Sequence, residues 1–75
     1  MQDAVTAGRE AGVRAIARHH VPDERLTRMA SEGAMAYVLR HAHQLTPAHA
    51  LDIFFAYQGA YLDAARQAAA QRDGA

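Results

Sequence analysis

Residues 46–72, TPAHALDIFFAYQGAYLDAARQAAAQR, decide the fold class. Thr46 is a good N-cap. Pro47 falls at the first helical position, where its fixed φ is pre-organised and its missing N–H is not needed. Leu51, Phe54, Phe55, Gln58, Leu62 and Ala65 follow at steps of three and four, which makes one stripe of a helix. Ile53, Tyr57 and Tyr61 widen that stripe to an arc of about 200°, roughly twice what one packed face needs. The polar strip left over is narrow: His49, Asp52, Asp63, Arg66 and Gln67. Such a helix runs for about 39 Å at 1.5 Å per residue. That is long for a chain of 75 residues, whose compact radius of gyration is about 11 Å.

The rest of the chain has the same period. Pro22 is the only other proline and opens a second helical pattern, which extends to about Gln44. Its stripe is Leu26, Met29, Ala30, Gly33 and Tyr37, widened by Val38 and Leu45. Met35, Leu39 and Ala42 fall on nearly the opposite side; Met35 is about 180° from Leu26 at 100° per residue. A first helix runs from about Asp3, a capping residue, to His20. Val5, Gly12, Val13, Ile16 and His20 share one side of it. It also carries two small-residue series, Ala4/Gly8/Gly12 and Ala7/Ala11/Ala15. Glycine inside a helix costs about 1 kcal/mol against alanine. These glycines therefore signal either a close backbone contact or a weakly formed helix. No stretch alternates with period two for long enough to make a strand.

These patterns predict an all-α chain: three helices, at about 3–20, 23–44 and 47–72, in an antiparallel bundle-like arrangement. Residues 1–75 form a single helical domain with a disordered tail after about 72. The N-terminal residues have no basic stretch followed by an apolar run, so no secretory signal is expected. The apolar runs fall far short of the roughly 18 residues that span a membrane. Together with the absence of cysteine, this points to a cytoplasmic protein.

Composition narrows the function classes. Eight cationic residues, all arginine, balance eight acidic ones, for a formal net charge of zero with histidine neutral. Nucleic-acid binders usually carry a basic excess, so nucleic acid is an unlikely partner. The one basic surface that would serve, Arg9, Arg14 and Arg18 with Arg25 and Arg28, reads more simply as a solvated face. No nucleophile elbow, phosphate loop or pair of carboxylates on a common face occurs, so no catalytic residue is assigned and no enzyme is expected. Five histidines invite a metal. However, His41 and His43 point about 200° apart on one helix, and His19 and His20 lie at the other end of the bundle from His49. Zinc needs three or four ligands. No metal and no cofactor is assigned.

The excess apolar arcs are what remain to be explained. They predict a homodimer, or a small adaptor or regulator that binds another protein by helix packing. Met35, Leu39, Ile53, Phe54, Phe55, Tyr57, Gln58 and Tyr61 would form most of the contact between chains. Gln58 lies near the centre of the apolar stripe, where a polar amide must find a partner or cost a few kcal/mol. Its own symmetry mate or Tyr37 is the partner expected. The alternatives are a nucleic-acid-associated regulator that uses the arginines of the first helix, and a small ligand- or metal-binding helical domain.

Overall fold

The computed structural model describes residues 3–17 and 20–74, and every regular element among them is helical. The order is α1 (Ala4–Ile16), α2 (Asp23–Arg40), a 3-10 turn (Ala42–Gln44) and α3 (Pro47–Gly74).

Each start is set by its cap. The Asp3 carboxylate accepts from the Thr6 backbone N–H at 2.8 Å and from the Thr6 hydroxyl at 3.2 Å. That backbone hydrogen bond holds the Asp3 carboxyl below its ordinary 3.8. Thr46 accepts from the His49 N–H at 3.2 Å and so caps α3. Pro22 occupies the N-cap of α2 in extended backbone.

The ends differ from the sequence expectation. α1 stops at Ile16 instead of continuing to His20, and His20 is not helical; Arg18 and His19 lie outside the described residues. The Arg72 guanidinium donates to the Ile16 carbonyl at 2.8 Å. It thereby satisfies an orphan carbonyl that another turn of helix would have taken up. α2 ends at Arg40, where the His41 N–H is shared between the Val38 and Tyr37 carbonyls. The chain then tightens into the 3-10 turn up to Gln44. At the other end α3 runs through Gly74, past the point at about 72 where a tail was expected.

The three helices run up, down and up. α1 lies parallel to α3: Gly8 sits against Tyr57 and Gly12 against Tyr61. α2 lies antiparallel to α3: Asp23 pairs with Arg66, Ser31 with Gln58 and Tyr37 with Tyr57. α3 is the central element, and α1 and α2 each pack on it more than on each other.

The core is made of four alanines, two branched aliphatic residues and two tyrosines: Ala4, Ala30, Ala34, Ala65, Ile16, Leu26, Tyr57 and Tyr61. Gly8 and Gly12 are what let α1 reach it. A Cβ at Gly8 would overlap the Tyr57 carbonyl oxygen, and one at Gly12 the Tyr61 carbonyl oxygen. The glycines thus mark backbone-to-backbone contact, not a weak helix. The molecule measures 43 × 22 × 16 Å, with a radius of gyration of 12.6 Å. Its long dimension is the length of α3.

Candidate interaction surface

On α2, Leu26, Ala30 and Ala34 are buried at steps of four. Met35 is turned about 100° from Ala34, and Leu39 lies one turn further along on the same side. Both are exposed, at 51% and 66%. On α3, Tyr57, Tyr61, Ala64 and Ala65 are buried. Phe55, two residues from Tyr57, points about 160° away from it. Phe55 is 59% exposed and Leu51, one turn before it, 58%. The antiparallel pairing of α2 with α3 brings these four residues to the same end of the pair. The two helices thus carry an apolar edge that is left exposed among the described residues.

The expected interface residues separate into two groups. Met35, Leu39 and Phe55 stand on this open edge. Tyr57 and Tyr61 are buried within the chain, at 8% and 4%, and Ile53 and Phe54 pack half-buried against the same core. The reason lies in α1. With only glycine at positions 8 and 12, its backbone lies directly on Tyr57 and Tyr61, which turns the flank of the predicted stripe into its centre. Leu51 and Phe55, placed by the sequence within that stripe, become its exposed margin.

Gln58 is satisfied inside the chain. Its Nε2 donates to the Ser31 hydroxyl at 2.7 Å, so a serine on α2 is a partner that spacing did not point to. The tyrosines make their own series. Tyr37 and Tyr57 ring centroids are 5.3 Å apart, Tyr57 and Tyr61 are stacked at 6.3 Å, and His41 lies 4.7 Å from Tyr37. Burial raises the Tyr61 phenol above its ordinary 10.0, and the neighbouring Tyr57 adds to the shift. The series is a packing device between α2 and α3.

At the opposite end of the α2–α3 pair an ion pair joins the two helices. Arg66 donates from Nε and Nη2 to the Asp23 carboxylate at 2.9 and 3.1 Å. Those hydrogen bonds hold the Asp23 carboxyl below its ordinary range and raise the Arg66 guanidinium. Both side chains are at least half exposed, so water screens the pair and its net worth is small.

One glycine carries a signal that the sequence reading passed over. Gly59 sits in the middle of α3, exposed, and a Cβ there would meet nothing within 4 Å. Unlike Gly8 and Gly12, it has no close approach within the chain to account for it.

A shallow groove of about 540 Å³ lies between α1 and α3. Val5 and Val13 form one wall, and Ala56, Ala60, Ala64 and Ala68 form the floor. Its polar lining groups are Arg9, Asp63, Gln67 and Gln71. Among the described residues, no group of three or more histidines and carboxylates is placed to hold a metal ion, and no helix is long and apolar enough to cross a membrane.

Fold and surface together define the chain as an all-α three-helix domain with a long central helix, open along one side. It matches no family model, and comparison with curated proteins and with solved structures likewise finds no match.

Proposed function

We infer that this chain is a non-enzymatic interaction protein that works in the cytoplasm as a homodimer, two copies joining over the open edge of α2 and α3. The observation that carries this reading is the exposure of Met35, Leu39, Leu51 and Phe55 at one end of the pair. Large side chains clustered in this way mark interfaces, whereas scattered ones do not.

The surface area supports a partner of matching size. A compact monomer of 8.1 kDa exposes about 4,500 Å² by the usual mass scaling. This chain exposes 5177 Å². The excess of about 700 Å² is close to the roughly 800 Å² that each partner gives up in a standard interface. A second copy is the favoured occupant because closed two-fold pairing is the commonest form of association between like chains.

Sedimentation equilibrium at tens of micromolar is the test, a working range for an association worth about −8 kcal/mol. The expected mass is twice that of the chain. Leu39→Glu should shift the population to monomer while leaving the helical circular dichroism unchanged, since Leu39 contributes little to its own core. A wild-type protein that stays monomeric throughout that range overturns the dimer.

A further inference from the structure

We propose that the two copies cross at Gly59, with α3 of one running antiparallel to α3 of the other, so that Asp52 of each copy faces Arg66 of its mate. This rests on the dimer read above and names the helix, the register and the charges that join it.

The back of α3 sets the geometry. α1 and α2 cover the side that carries Tyr57, Tyr61 and Ala65, which leaves an arc of about 120° on the far side. Ala48, Asp52, Phe55, Gly59, Leu62 and Arg66 recur there in alternating steps of four and three. That is the 3.5-residue period by which one helix lies along another. All six are exposed except Leu62, which is half-buried. Phe55 presents its ring on this seam, in edge contact with Phe54 at 5.5 Å.

Gly59 lies at the middle of the seam. Only proline weakens a helix interior more than glycine does. At Gly8 and Gly12 that weakness is offset by contact with the α3 backbone. At Gly59 an added Cβ would meet nothing within 4 Å beyond its own turn of helix. The missing side chain thus leaves room for a second backbone at the one place where two α3 helices related by a two-fold axis meet.

The charges agree with this register. Asp52 and Arg66 lie seven residues before and after Gly59, about two turns in either direction. An antiparallel crossing at Gly59 therefore sets the carboxylate of one copy against the guanidinium of the other, twice. It also lays each Phe55 over the 62–63 stretch of the other chain. Arg66 already binds Asp23 through two of its N–H groups, and the guanidinium fork has others to offer. A parallel pairing in the same register would bring Asp52 against Asp52 and Arg66 against Arg66.

Sedimentation of Gly59→Leu, together with a charge exchange, tests the crossing. Leucine suits an exposed helix position better than glycine, so Gly59→Leu in dilute solution should keep or raise the melting temperature while its dimer dissociation constant rises by about tenfold or more. Asp52→Arg alone and Arg66→Asp alone should each self-associate weakly, because like charges then face each other. An equimolar mixture of the two variants should restore a mixed dimer about tenfold tighter than either variant forms alone. A wild-type dimer that survives Gly59→Leu unchanged, or a mixture no tighter than its components, overturns the crossing and leaves the dimer standing. A wild-type monomer at every concentration overturns the dimer itself.

Discussion

Gln58 shows what a single polar residue does inside an apolar stripe. Its place among Leu51, Phe54, Phe55 and Leu62 was readable from spacing. Its partner was not, because Ser31 is distant in sequence and meets it only once α2 folds back along α3. A half-buried amide and hydroxyl that satisfy each other contribute about 0.5–1.5 kcal/mol net. Removing one partner leaves the other desolvated, so Ser31→Ala alone should cost about 1 kcal/mol. Replacing both with apolar groups, Ser31→Ala with Gln58→Leu, should recover most of that loss. Denaturant titration of the two single variants and the double variant measures the coupling. Strictly additive effects would mean that the bond contributes nothing to the fold.

At the scale of the element, α1 depends on what it lacks. It is the shortest of the three helices, and isolated helices of that length are marginal in water. Its hold on the molecule comes from the Asp3 cap, from Arg72 at its C-terminal end and from the contact of Gly8 and Gly12 with the α3 backbone. Alanine at position 12 would strengthen a free helix by about 1 kcal/mol. Here the added Cβ meets the Tyr61 carbonyl, and the helix must move away or strain. Gly12→Ala is therefore expected to destabilise by a net 1–3 kcal/mol, the usual range for an overpacked contact, at about 4–8 °C of melting temperature per kcal/mol. A melting temperature that rises would show that α1 does not rest on α3 as described.

For the molecule as a whole, acid should loosen the bundle at two points. The carboxyls of Asp3 and Asp23 both titrate below their ordinary 3.8 when folded. A folded-state value lower than the unfolded one adds stability above the unfolded value, and that stability is lost as pH falls through the folded value. Asp3 holds the start of α1, and Asp23 ties the start of α2 to α3. The melting temperature should thus stay level from neutrality to about pH 5 and fall below pH 4, around the reference aspartate range. Asp23→Asn should melt slightly lower at neutral pH and show a shallower acid decline, a small effect because the pair with Arg66 is exposed. A variant whose decline matches wild type at every pH would remove Asp23 from this account.

The amino-acid order alone supplies the helices: proline and threonine or aspartate at their starts, apolar residues at steps of three and four along them, and an arc on α3 too wide for one partner. Those are local properties, carried by backbone geometry and by side-chain spacing within one element. Which side of that arc faces inward is not local. Leu51 and Phe55 are as apolar as Tyr57 and Tyr61, and the periodicity of α3 ranks neither pair above the other. The choice falls to α1, whose two glycines allow its backbone to reach α3 only along the Tyr57–Tyr61 side, and to α2, whose Ser31 meets Gln58 on the next. Burial is a property of the space between elements, and the glycines that shape that space lie some 50 residues away in the chain from the tyrosines they bury.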